Sequence, residues 1–324
     1  MELATYTNKL RTLAESFFRE EKTLSSTKRC CISIKQSELS IVCISRRADA
    51  DEVSLLDKIK FDDFKTLPLI FKGIIEKYDL SQTPLSWLLH PDDYQLDLIE
   101  SMPVPETEFL TALSWRIRSL INYPIEEAVL EYFELPAKKN APNSPLIGAV
   151  TAQKTRLNPA ITLFKECGLQ LVTIGIPEIA ILNLAALYEN DEKSSAFLYF
   201  YEKFIILNIS NRKVLYFTRR INISFTSDNK IDYEKLSLEI LRYFDFFCSQ
   251  WRFSPPARIF SASSSGDIQV ITKILSERLM HPVTVYTLNA VIMNDKTKNE
   301  IATKYLLDYG CLLKQGSMDV KTGN

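Results

Sequence analysis

Glycine is scarce in this chain, at 8 of 324 residues, where average usage of about 7% would give roughly 23. Backbone N–H groups approach phosphate oxygens closely only where no Cβ intrudes, so so few glycines argue against a phosphate-cradling loop. An excess of charge of one sign is also lacking. Lys and Arg total 39 against 40 Asp and Glu, which leaves no basic field for nucleic acid or an anionic membrane. Long apolar runs are missing as well: Leu67–Ile75 and Gly168–Pro177 fall well short of the roughly 20 residues a membrane helix needs. The N-terminal MELATYTNKLRTLAESFFREEK carries acidic residues and no apolar signal core, so a cytoplasmic location is expected. The six cysteines (30, 31, 43, 167, 248 and 311) contain no C-x-x-C pair or other metal-ligand spacing. They are expected to be buried, reduced small hydrophobes. His90 and His281 each precede a proline at the end of an apolar segment, with no evident acid or nucleophile partner in sequence, so neither is expected to be catalytic. What is present is the balance of a soluble globular protein, 46% hydrophobic and 24% charged, at a length that supports two domains.

Periodicity divides the chain. Leu3, Tyr6, Leu10, Leu13 and Phe17 recur at helical spacing and predict an amphipathic N-terminal helix over 1–28. Residues 29–91 read as the core of a first lobe. They hold a hairpin of strands 30–35 and 38–45 around Gln36-Ser37, a helix over about 62–78 that Pro68 is expected to kink, and a short buried strand at 84–89. A strand–helix–strand subdomain follows over 92–136. Tyr94–Ile99 alternates as a strand, and Pro103 and Pro105 extend the chain into a helix with Glu106 and Glu108 in its first turn. Ala128–Leu135 returns as a strand. Phe109, Leu113, Ile117 and Leu120 share one face of the helix, within about 80° at 100° per residue. Trp115 lies about 160° from Ile117 and points elsewhere. Burial against another subdomain or the linker would explain such a ring, and so would a partner's surface.

Residues 136–145 (PAKKNAPNSP) are the clearest linker. The region 137–315 then reads as a second lobe with return elements. Its pattern is strand 146–152, helix 159–167 opened by Asn158-Pro159, strand 169–176 and helix 178–189. An antiparallel meander covers 196–201, 203–210 and 213–223, followed by a strong helix at 232–251. Strand 257–261, helix 267–279, strand 283–286 and a helix near 297–308 complete it. Tyr233, Leu236, Ile240, Tyr243, Phe244, Phe247 and Trp251 form one stripe on the long helix and are expected in the core. The pairs Arg46-Arg47, Lys138-Lys139 and Arg219-Arg220 read as solvated surface. Residues 316–324 are expected to be disordered.

Several stretches resemble the PilM/MshI family of type IV pilus biogenesis proteins. They are the subdomain DYQLDLIESMPVPETEFLTALSWRIRSLINYPIEEAVLEYFEL, GLQLVTIGIPEIAILNL at Gly168–Leu184, VLYFTRRI at Val214–Ile221, LEILRYFDFFCSQ at Leu238–Gln250, and the glycine-containing segment Lys304–Lys314. Together they cover most of residues 84–314. The resemblance implies an α/β, actin-like (ASKHA) two-lobed fold with a small α+β insertion subdomain in the first lobe. Sequence order alone also allows two unrelated α/β domains. The family's nucleotide site uses two Asp-x-Gly hairpins and a Gly-Gly loop. Here Ser33 stands at the first Asp and Lys35 at the first Gly, with Ser37 beyond them. Tyr199, Phe200 and Tyr201 crowd the second hairpin, and Ser263, Ser264, Ser265 and Gly266 occupy the third loop. The resemblance therefore implies a vestigial cleft with no cofactor or metal, although the serine loop leaves room for a ribose or base and hence for ATP.

By the same resemblance the chain is expected to be a scaffold and pseudo-ATPase peripheral to the inner membrane. Its partner would be the cytoplasmic segment of a single-pass pilus assembly protein, bound in a groove between subdomains of the first half, and Trp115 is the candidate contact. The pilus motor ATPase is a second expected partner and nucleic acid is not one. The MshI branch, of mannose-sensitive haemagglutinin-type pili, shares the degenerate cleft. Two alternatives are a nucleotide-binding PilM-like ATPase and the cytoplasmic part of a type II secretion platform subunit. The latter continues into a membrane helix that this chain is expected to lack.

Overall fold

A computed structural model describes residues 28–35, 37–47, 50–81, 83–139, 145–189, 192–263, 267–288 and 295–313. The helix expected over 1–28, apart from Lys28, and the tail over 316–324 lie outside the described residues.

The chain forms two compact units. One holds the described chain up to Glu134 together with Leu146–Pro177, and the other holds the stretch after Glu134 and the chain from Glu178 onward. Residues 146–177 thus join the first unit, not the second lobe to which sequence order assigned them. The reason is strand pairing, which brings both strands of that segment back across the linker.

In the first unit β1 (Lys28–Ile34), β2 (Glu38–Arg47) and β3 (Ala50–Lys60) form an antiparallel meander. β4 (Pro84–Leu88) and β8 (Gln170–Gly175) extend it in parallel, in the order β3-β2-β1-β4-β8. Helix α1 (Leu67–Tyr78) buries Leu67, Phe71 and Ile74. Pro68 sits in its first turn, where the missing N–H has no helical acceptor to lose, so it starts the helix and does not kink it. Phe71 and Trp87 both meet Phe164 edge-on, at 5.6 Å between centroids. That ring comes from α3 (Lys154–Glu166), which begins well before the Asn158-Pro159 start expected from sequence. Leu157, Ala160, Leu163 and Phe164 keep one buried stripe through Pro159, and tertiary packing outweighs the proline's lost hydrogen bond.

The insertion is a second, three-stranded sheet in the order β5-β7-β6, formed by β5 (Gln95–Glu100), β6 (Ala128–Leu135) and β7 (Leu146–Gln153). It lies apart from the five-stranded sheet, as expected. Its central strand, β7, comes from beyond the linker, so the insertion does not close at residue 136. Helix α2 (Glu106–Ile117) packs Phe109, Leu113 and Ile117 onto Ala128, Leu130, Ile147 and Ala149. Leu120 is excluded from that face and is 44% exposed, because the helix ends at Ile117.

The second unit repeats the first unit's topology. β9 (Ser195–Phe200), β10 (Phe204–Asn211) and β11 (Val214–Asn222) form the antiparallel meander, and β12 (Arg258–Ser263) and β13 (Val283–Val285) add in parallel. The order β11-β10-β9-β12-β13 matches that of the first sheet strand for strand. Around it lie α4 (Pro177–Ala186), α5 (Tyr233–Trp251), α6 (Ile268–Leu279), a short α7 (Asp295–Glu300), a π-turn (Ile301–Tyr305) and α8 (Leu306–Leu312). The aromatic stripe on α5 is largely core: Leu236, Ile240, Phe244, Phe247 and Trp251 are buried, while Tyr233 and Tyr243 are only partly so.

Cys30 and Cys43 are not the reduced thiols expected. The β1–β2 register sets them directly opposite, with Cα atoms 4.0 Å apart, and they are joined by a disulfide.

Candidate functional site

Three turns carry the residues singled out for nucleotide chemistry. In the β1–β2 turn Ser33 is half-buried at the end of β1, in register with Ser40 of β2 and Leu88 of β4. Lys35 and Ser37 are exposed. The turn's polar backbone is committed to the sheet: the Lys35 N–H donates to the Glu38 carbonyl at 2.8 Å, and the Ser37 carbonyl accepts from Phe61 N–H at 3.0 Å. Both of these backbone groups therefore serve the sheet.

The β9–β10 turn is filled by aromatic rings. The Tyr201 N–H donates to the Phe204 carbonyl at 2.9 Å, closing the hairpin. The Tyr201 ring stacks on Phe204 at 4.8 Å and meets Tyr199 edge-on at 5.1 Å. Burial pushes the Tyr201 hydroxyl well above its ordinary range; Tyr199 and Glu178 push the same way, and Arg220 opposes them. The Arg220 guanidinium lies 5.5 Å from the Phe204 ring centre and 3.8 Å from the carboxylate of Glu178.

Glu178 is 1% exposed at the start of α4, and its carbonyl accepts from Asn208 Nδ2 at 2.7 Å. Glu178, Tyr201 and Arg220 with Asp308 thus make a packed polar–aromatic cluster in the second unit. Sequence reading missed it. Pro177-Glu178 stood out only as a helix start, and Arg219-Arg220 only as a solvated pair. Alternation along β11 was the available signal, since it turns Arg219 outward and leaves Arg220 half-buried.

In the third turn Ser263 closes β12, and its hydroxyl donates to the Phe200 carbonyl at 3.2 Å. Ser264, Ser265 and Gly266 lie outside the described residues.

Trp115 is 58% exposed on α2, with the Arg118 guanidinium 5.7 Å from its ring centre. Among the described residues most of the ring is uncovered, and residues 140–144 of the linker lie outside them. A large exposed ring with a cation over its face is a ready contact for another molecule.

Neither a protein-family model nor a curated protein matches this chain. Solved structures do. A structure of the PilM-PilN type IV pilus biogenesis complex superposes with a TM-score of 0.69 at 14% identity, covering 87% of this chain and 97% of that one. The chain has the actin-like fold. A Bacteroides thetaiotaomicron protein described as having an actin-like ATPase fold and unknown function matches with a TM-score of 0.53 at 10% identity, over 90% of this chain and 98% of that one. The cytoplasmic domain of EpsL, an inner-membrane component of the Vibrio cholerae type II secretion system, aligns over 78% of this chain and 94% of that one, with a TM-score of 0.47 at 12% identity. No helix among the described residues is long and apolar enough to cross a membrane.

Proposed function

We propose that this actin-like chain is a non-catalytic scaffold of a type IV pilus assembly platform, peripheral to the inner membrane. It docks the cytoplasmic segment of a single-pass pilus protein. The observation that carries the loss of catalysis is the filled β9–β10 turn. Tyr201 stacked on Phe204, beside the Glu178–Arg220 pair, occupies the tip of the hairpin where a nucleotide-using relative needs Asp and Gly. Lys35, in place of glycine in the β1–β2 turn, supports the same reading. The pilus assignment is supported by the length of the match to the PilM-PilN complex, which covers 87% of this chain. Within that group the degenerate turns favour the MshI-like branch over a nucleotide-using PilM. Trp115 is the proposed anchor for the partner, and the pilus motor ATPase is a second proposed partner.

Two measurements test this. Titration calorimetry with Mg-ATP is expected to give no binding tighter than millimolar; a low-micromolar Kd, about −8 kcal/mol, would sink the loss of nucleotide function. Affinity capture from solubilised membranes of the source cell is expected to recover a single-pass pilus assembly protein. Recovery of secretion-platform components instead would favour the type II reading.

A further inference from the structure

The Cys30–Cys43 disulfide sits in the interior of the first sheet, where β1 lies between β2 and β4, and β2 between β1 and β3. Register sets which face carries the bond. Cys30 is beside Cys43 and Leu85, and Ile32 is beside Ile41 and Trp87. These side chains share one face of the pleat. On that face Trp87 meets Phe164 of α3, and the same ring meets Phe71 of α1. The bond therefore lies under α1 and α3, and its two cysteines are 2% and 0% exposed. Cys31, also buried, is turned to the opposite face and cannot attack it.

Reduction takes an external thiolate in line with one sulfur, and the leaving thiolate would form among Ile32, Ile41, Leu85 and Trp87. Charge is costly in such apolar surroundings. Both requirements are met only when β1 and β2 part. Once reduced, the two thiols fill the same space as small apolar side chains, so the fold does not depend on the bond. We propose that Cys30–Cys43 is a slow redox latch: the first unit has an oxidised and a reduced form of one fold, which interchange only through opening of the β1–β2 ladder. The exchange consumes two thiols of the glutathione class. The first thiolate forms a mixed disulfide and releases one cysteine; the second displaces the other cysteine and leaves as the small disulfide. Two electrons enter the protein, and the protons of the two external thiols end on the cysteines. Reoxidation runs the same steps backwards. The oxidised form is the more stable, because the bond ties residues 13 apart in the unfolded chain. The latch thus keeps a record of redox conditions at the last folding or opening, whatever partner the chain docks.

The test uses the full chain, with reactive thiols counted by alkylation in denaturant and intact mass. Four of the six cysteines react in the oxidised form and all six in the reduced. In millimolar dithiothreitol the pair is expected to reduce at least about a hundredfold more slowly in native buffer than in unfolding urea, with a rate that climbs steeply through sub-denaturing urea. The oxidised form should melt about 6–12 °C above the reduced form. Cys31→Ala should keep both differences, and Cys30→Ala combined with Cys43→Ala should remove them. If the double variant does not fold, wild type with and without reductant still gives both readings. Full-speed reduction in native buffer, equal melting of the two forms, or loss of redox dependence in Cys31→Ala would each overturn the latch. A chain that keeps six reactive thiols after refolding in oxidised glutathione would overturn it too.

Discussion

Replacing glycine by alanine at two helical positions is expected to change stability in opposite directions. Gly310 lies inside α8, where a Cβ would come within 2.6 Å of the Ala180 carbonyl oxygen of α4 and 3.0 Å of Leu184 Cγ. The obstacle is backbone of a packed helix, so the two helices must separate. Overpacking of this kind costs about 1–3 kcal/mol. Separation also stretches the bond from Asn183 Nδ2 to the Gly310 carbonyl, 2.9 Å long, worth about 1 kcal/mol. Alanine returns about 0.5–1 kcal/mol of helix propensity. The net is a loss of about 1–3 kcal/mol for Gly310→Ala, which lowers the melting temperature by about 2–4 °C per kcal/mol in units of this size. Gly73, exposed on α1 with nothing within 4 Å of its added Cβ, isolates the propensity gain, so Gly73→Ala should stabilise by up to about 1 kcal/mol. Calorimetry and urea unfolding of the two variants decide it. A Gly310→Ala protein that melts at or above wild type would refute the close approach of α8 and α4.

Trp115→Ala should leave the melting temperature within about 2 °C of wild type, because the ring is largely exposed. It should weaken capture of the partner by about 2 kcal/mol or more, near thirtyfold; unaltered capture would retire Trp115 as an anchor. Glu131 is an acid whose folded pKa, about 7, stands above its usual 4.5. The folded chain keeps a proton that the unfolded chain releases, so stability should fall as pH rises from about 4.5 through 7, by up to about 3 kcal/mol and by less if solvent still reaches the carboxyl. Glu131→Gln should flatten that slope in urea midpoints taken at pH 5 and pH 8, and an unchanged slope would contradict the assignment. Arg212 and Lys213 both have positive φ, 49° and 65°, at the turn between β10 and β11. Lys213→Gly should therefore stabilise by about 0.5–1 kcal/mol while keeping the N–H that donates to Glu189 at 2.6 Å. A loss of stability in that variant would show that the lysine side chain matters more than its backbone.

Local signals in the sequence located most elements, because alternation and helical stripes reflect burial directly. Alternation from Tyr94 to Ile99 and the Phe109, Leu113, Ile117 stripe were enough to place β5 and α2. What the sequence could not show was pairing at a distance. Nothing local in LIGAVTAQ says that β7 enters between β5 and β6, and Asn158-Pro159 looked like a helix start because Asn is a favoured N-cap and Pro fits the first helical position. β3 was nearly invisible, since an edge strand rich in Asp, Glu and Lys resembles a loop in composition. For the site, single residues such as Trp115 were legible from one helix face. The Glu178–Tyr201–Arg220 cluster was not, because it joins side chains from a helix, a turn and a strand whose packing the sequence does not state.

The late arrival of β7 and β8 has a consequence for synthesis on the ribosome. When Glu134 emerges, β5 and β6 lack the strand that joins them, and β4 presents an unpaired side until Gly175 has been made. At about 5–20 residues per second, some 40 residues of further translation leave the nascent first unit with open strand edges for roughly 2–8 seconds. Chaperone dependence and aggregation on overexpression should therefore concentrate in that interval. Slowing translation after residue 134 should lower the soluble yield more than the same pause placed after residue 177.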